Sequence, residues 1–159
     1  GGFQKLHNDR GSWTSGIVGE GELKGTKYGV SAMSYPKHDI ENLTLEQAKV
    51  IYYSRYWLPL KPAVFSPAMQ YQMFDAAVNH GIRNAVKMLQ RAVGAKDDGY
   101  VGAKTIVAMA NVKPHQLPML FNAERIWFYT QLHTFNEYGK GWMNRISENL
   151  KFAVEDLNS

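Results

Sequence analysis

The chain has 159 residues, long enough for one domain of two lobes whose core needs no covalent staples. It contains no cysteine, which excludes disulfides, zinc–thiolate centres and cysteine nucleophiles. A net charge of +4 and a pI near 9.2 suit contact with a polyanion, but no basic run points to nucleic acid and no apolar stretch approaches the ~20 residues of a membrane span.

Eight of the 14 glycines fall in the first 30 residues: Gly1, Gly2, Gly11, Gly16, Gly19, Gly21, Gly25 and Gly29. Glycine weakens helix interiors, so this region reads as turns and short strands. From "NLTLEQAKVIYYSRYW" the pattern becomes helical. Thr44 and Gln47 are spaced as a capping box with Leu43 as the staple residue, and the helix is expected to end before Pro59. Ser66-Pro67 marks the next start, with an N-cap serine and proline at N1. Met69, Met73, Ala77 and Val78 follow at helical spacing until Gly81; Ile82, Ala85, Val86, Leu89 and Val93 carry the stripe to Gly94. Asp97-Asp98-Gly99 is a turn before a short helix near 102–110. Pro114 opens a helix carrying Leu117, Leu120, Phe121, Trp127, Phe128 and Leu132, and Ile146, Leu150, Ala153, Val154 and Leu157 stripe the last one. The expected organisation is a mostly α, α+β protein. A Gly-rich lobe over 1–64 includes the first helices, a helical lobe covers 65–159, and the two meet around Leu58–Phe65 as one compact unit.

Several chemistries lack their signatures. There is no phosphate-binding Gly-rich loop ending in Lys-Ser/Thr and no G-x-S-x-G elbow. The five histidines, His7, His38, His80, His115 and His133, lack the i, i+4 spacing of a metal helix. Carboxylate chemistry remains. Asp9 sits between Asn8 and Arg10 before a glycine, where it is either a turn former or a working carboxylate. Glu20 and Glu22, in "GEGEL", read as a solvated, Gly-flanked pair, a poor setting for a general acid.

The combination of segments is more specific. "GGF", "NDRG", "GTKYGVS", "LTLEQAKVIYYSRYW", "FDAAVNHG", "NAVKMLQRAVG", "DDGYVGAKTIVAMA", "RIWFYTQL" and "KGWMNR", in this order, resemble the muramidases of glycoside hydrolase family 108 nearly end to end. These are phage endolysins and related bacterial lysozymes with a lysozyme-like fold. The family motif is Glu-Gly-Gly followed by an aromatic residue, and its glutamate is the catalytic acid. The resemblance therefore places that acid immediately before Gly1, on an N-terminal helix outside the sequence given. Asp9, nine residues on, matches the active-site aspartate of related phage lysozymes by spacing. Thr26 resembles their threonine by the aromatic-Gly-apolar residues after it. The Asp-to-Thr interval is longer here than in the short phage enzymes, which keeps Thr14 open as a competitor.

Glycoside hydrolysis needs a protonated acid on the leaving oxygen and a carboxylate across the sugar. In this reading Trp13 and Tyr28 help keep the glutamate protonated. Asp9 stays ionised and, with Thr26, stabilises charge or places water. Carboxylate separation, which decides inversion from retention, is not given by the sequence. Asp75 and Asn79 share a helix face and either line a cleft between the lobes or tie the two lobes together. Tyr28, Trp142 and Arg145 are candidate substrate contacts, through ring stacking or a clamp on a peptide carboxylate, against the alternative that Trp142 simply packs at the start of the last helix. Gln90 and Asp98-Gly99 match the "LQ…DG" of a peptidoglycan-binding domain and read as turn and cap residues.

The resemblance implies hydrolysis of the β-1,4 bond between N-acetylmuramic acid and N-acetylglucosamine. The expected partners are peptidoglycan strands and their peptide stems, with no cofactor, metal, nucleic acid or membrane insertion. The expected state is a monomer made in the cytoplasm and acting in the periplasm or wall, as a phage lysis enzyme or a bacterial secretion tool. Two alternatives stay open: a non-catalytic peptidoglycan-binding module and a lytic transglycosylase.

Overall fold

The computed structural model describes all residues, Gly1–Ser159. The chain divides into two compact units, Gly1–Ser54 and Arg55–Ser159. The division falls earlier than residue 64, where the proline-containing loop suggests a joint.

The first unit has little regular structure, as its glycines require. A 3₁₀ turn spans Arg10–Ser12, and two short strands, β1 (Thr26–Lys27) and β2 (Val30–Ser31), pair antiparallel with Thr26 opposite Ser31 and Lys27 opposite Val30. The two residues between them, Tyr28 at φ 51° and Gly29 at φ 77°, are both left-handed, the signature of a type I′ hairpin turn. Helix α1 (Leu45–Tyr52) starts with the expected capping box: Thr44 Oγ1 accepts the Gln47 amide at 3.2 Å and Gln47 Oε1 accepts the Thr44 amide at 2.9 Å. Val30, Ala32, Ile40, Leu43 and Ala48 form the unit's small core, with Phe3, Tyr28, Tyr35, Ile51 and Tyr52 packed around it. The Tyr52 hydroxyl donates to the Tyr28 carbonyl at 2.9 Å, fastening α1 to the hairpin turn.

Helical backbone does not stop before Pro59. After α1 the chain passes through a π-helical turn, Tyr53–Trp57, and then α2 (Leu58–Leu60), with Pro59 in its first turn. A proline there needs no amide hydrogen bond, so the residue expected to end the helix instead starts the next piece. Lys61, in the left-handed region, then breaks the run before a 3₁₀ turn at Pro62–Val64.

The second unit is helical: α3 (Pro67–His80), α4 (Ile82–Ala92), α5 (Ala103–Ala110), α6 (Leu117–Thr130) and α7 (Phe135–Leu157). Pro67 stands at N1 of α3, but the Ser66 side chain makes no cap hydrogen bond. Gly81 (φ 82°) separates α3 from α4 as the sequence suggests. Helix α6 begins at Leu117, three residues after Pro114. Met69, Met73, Ala76, Ala77, Ala85, Val86, Leu89 and Phe121 form the core between α3, α4 and α6. Two expected stripes shift. On α7, Val154 is 59% exposed while Asn149 is buried; on α6, Leu120 and Trp127 are exposed while Asn122 and Arg125 are buried.

Candidate active site

Asp9 caps the 3₁₀ turn that follows it. Its Oδ1 accepts the Gly11 amide at 3.0 Å and its Oδ2 accepts the Ser12 hydroxyl at 3.1 Å. Ser12 is fully buried, and its Oγ also accepts the Leu6 amide at 3.2 Å. The Ser12 carbonyl takes the amides of Lys24 and Gly25, both at 2.9 Å. Next along the chain, Thr26 and Gln4 exchange both backbone bonds at 2.7 and 2.8 Å, and the Tyr28 amide reaches the Gly1 carbonyl at 3.3 Å. The opening segment, the Asp9 turn and β1 are thus stitched into one patch. Gly25 is required there: it lies at φ 86°, and a Cβ would collide with the Gln4 carbonyl.

Asp9 is half-buried and spends one acceptor position on each oxygen to hold its own turn. A carboxylate has about four such positions, so the rest stay open to a ligand. The two threonines differ. The Thr14 hydroxyl accepts the Glu22 amide at 2.9 Å and closes the glycine-rich loop. Thr26 is held through its backbone. The Trp13 indole donates to the His7 carbonyl at 2.9 Å and meets the His7 ring edge-on, so this Trp braces the Asp9 loop. Glu20 and Glu22 are exposed, and Glu22 pairs with Lys24 at 3.2 Å. Tyr28 forms the hairpin turn, with the Lys27 ammonium 5.7 Å from its ring centre.

The second unit gathers Asp75, Asn79 and Arg145, and it does so around Asp75. Asp75 Oδ2 accepts Arg125 Nη1 and Asn149 Nδ2, each at 2.8 Å, and Oδ1 accepts Arg145 Nη1 at 2.9 Å. Asn79 donates to the Asp75 carbonyl at 2.7 Å. Arg125 is fully buried, and its other nitrogens donate to His80 Nε2 at 3.3 Å and Tyr129 Oη at 3.4 Å. Burial and the neighbouring guanidinium push the His80 pKa down to about 4, so its ring is neutral and free to accept. Gln72 extends the network, donating to the Asn149 carbonyl at 2.8 Å and accepting from Asn122 at 2.9 Å. Trp142 stacks on Tyr129 with ring centres 4.7 Å apart. Gln90 is buried and organises the Asp98–Tyr100 turn, the structural work its motif suggests.

Four members of this network, Gln72, Asn122, Arg125 and Asn149, were not singled out in the sequence. Their signal was present as polar residues at core positions of helices: Asn149 stands three residues from Ile146 and four from Ala153, and Asn122 and Arg125 interrupt the α6 stripe. No three His, Asp or Glu side chains come together as a metal site.

The molecule is thus a mostly α, lysozyme-like α+β protein with a carboxylate turn on its strand-bearing unit. Residues 1–81 match the family model described as glycosyl hydrolase 108, half of the chain, and the chain belongs to that family. It is a glycosidase. Residues 84–147 match a model described as "Predicted Peptidoglycan domain", which makes peptidoglycan its partner and the cell wall its place of action. The structure of Brucella abortus SagA is similar over 98% of this chain and 87% of that one, with a TM-score of 0.78 and 27% sequence identity. No curated protein matches the sequence. No helix is long and apolar enough to cross a membrane.

Proposed function

We propose that the chain is an N-acetylmuramidase, cleaving the β-1,4 bond between N-acetylmuramic acid and N-acetylglucosamine. The supporting observation is that the glycosyl hydrolase match contains the whole Asp9–Thr26 patch. Asp9 is the ionised carboxylate, held by Gly11 and Ser12 with acceptor positions to spare. Thr26 is the positioning hydroxyl in preference to Thr14, whose oxygen is engaged by Glu22. The general acid is a glutamate directly before Gly1. The Gly1 carbonyl already bonds the Tyr28 amide, so that residue would join the same backbone patch as Asp9 and Thr26. The acid protonates the leaving oxygen and water adds to the sugar carbon, with Asp9 stabilising the positive charge that develops there. Tyr28, Asp75, Asn79, Trp142 and Arg145 are carried as substrate contacts, though Asp75 is already met by four protein donors. The protein acts as a monomer.

Wall digestion with mass spectrometry of the products tests this on three proteins: the chain as given, the chain extended by a glutamate-bearing N-terminal segment, and the extended chain with Asp9→Ala. Reducing-end muramic acid released only by the extended, Asp9-intact form is the expected result. Anhydro-muramic products would make it a lytic transglycosylase. Binding to wall without cleavage in all three would make it a binding module.

A further inference from the structure

A cavity of about 410 Å³ opens within Arg55–Ser159, in the size range of small-ligand sites. Leu60, Ile82 and Val86 line it with apolar surface, and Lys61, Arg83 and Tyr100 add its polar groups. Its walls are fixed. The buried Gln90 amide donates to the Tyr100 carbonyl, Asp98 Oδ1 and Thr105 Oγ1 at 2.9 to 3.1 Å, and its oxygen accepts the Gly99 amide at 2.9 Å. Gly99 lies at φ 84°, and a Cβ there would come within 2.7 Å of the Arg83 stem, so the arginine runs close along the turn. Its guanidinium sits 5.4 Å from the Tyr100 ring centre. Lys61, also in the lining, holds a left-handed backbone at φ 52°, a conformation that costs a lysine on the order of 1 kcal/mol or more and persists only where its surroundings enforce it.

The charges at this cavity are not neutralised. The chain's ion pairs use Lys24, Lys49, Arg91, Arg125 and Arg145, which leaves Lys61 and Arg83 without a carboxylate. Asp98, the nearby acid, turns its Oδ1 to Gln90 and the Tyr100 amide. Two unpaired cations beside an apolar floor complement a short ligand that carries methyl groups and a free carboxylate.

We propose that this cavity holds the peptide stem of peptidoglycan, its alanine methyls on Leu60, Ile82 and Val86 and a carboxylate between Lys61 and Arg83. The sugar backbone of a peptide-bearing strand offers no free carboxylate, so the site reads the stem and not the glycan. The inference rests on peptidoglycan being the substrate, and extends that reading to a second subsite within the helical unit.

The test is fluorescence anisotropy with a labelled, soluble stem tetrapeptide, without sugar, against the full chain. Lys61→Ala and Arg83→Ala are each expected to weaken binding about tenfold, the scale of one charge-assisted contact. Amidating the peptide carboxylates should have the same effect. Lys113→Ala, a charge removed elsewhere on the surface, should leave binding unchanged, and unaltered thermal melts confirm that the variants fold. No binding by the parent chain, or binding indifferent to Arg83→Ala and to amidation, overturns the proposal. Wall cleavage by the glutamate-extended form without stem binding rejects this site alone; stem binding with no wall cleavage by that extended form rejects the muramidase reading and leaves the site standing.

Discussion

Asp75 carries a negative charge into the helical unit because three close donors meet its carboxylate there, two of them arginines. Removing one partner of such a pair leaves the other charge buried and uncompensated. Arg125→Met should therefore destabilise the protein by about 3 kcal/mol or more, read as a lower midpoint in urea unfolding. A loss near zero would show that Arg145 and Asn149 suffice. His80, in the same network, has a folded pKa of about 4, below its ordinary 6.5. Between those values the unfolded chain takes up a proton that the native state refuses, so stability is complete above pH 6.5 and drains as pH falls toward 4. The loss is on the order of 3 kcal/mol, and a His80→Gln variant should show a flatter urea midpoint from pH 7 to 4.5 than the parent chain. Asp9 calls for the opposite pattern. Asn keeps an acceptor for the Gly11 amide, so Asp9→Asn should leave the melting temperature nearly unchanged while wall cleavage by the glutamate-bearing form falls about 100-fold or more. Equal loss of both would make Asp9 a turn residue only. In the sequence, the Asp9 turn is legible from its neighbours, and its candidacy as a working carboxylate rests on its spacing in the family resemblance. Arg125 was not legible, because its partner Asp75 lies 50 positions away and no local pattern links the two.

At the scale of elements, local chemistry was the readable part. The Thr44–Gln47 box needs only residues three apart, and it forms as the spacing says. Thr44→Ala should cost about 1 kcal/mol by exposing the first turn of α1, measured as a shift in the denaturation midpoint; no shift would mean that core contacts alone hold the helix. Gly81 and Gly94 end helices for the same local reason, each with a positive φ. Where tertiary packing decides, the reading slips. Pro59 stops a helix by rule, yet a π-turn ahead of it resets the backbone so that the proline starts a new piece. Val154 looks like a core residue on α7, but Asn149 takes the inward place because the Asp75 carboxylate there accepts its side-chain amide. An apolar stripe assumes that burial means hydrophobicity, and this core is partly polar.

For the molecule as a whole, the family matches and the compact units do not share a border. The glycosyl hydrolase match runs to residue 81 and the peptidoglycan-domain match begins at 84, while the compact units meet at Ser54 and Arg55. Helix α3, inside the glycosyl hydrolase match, supplies Met69, Met73, Ala76 and Ala77 to a core whose other half is Ala85, Val86, Leu89 and Phe121. It also supplies Asp75 to Arg125, Arg145 and Asn149, and Gln72 to Asn122. A cut between residues 81 and 84 would open this core and strand a fully buried arginine without its counter-charge. A fragment of residues 84–159 should therefore lack a cooperative thermal transition by circular dichroism, whereas 55–159, which keeps α3, should melt cooperatively. If 84–159 melts as sharply and as high as 55–159, then α3 is dispensable to the helical body, and the peptidoglycan-domain match marks an independent folding unit after all.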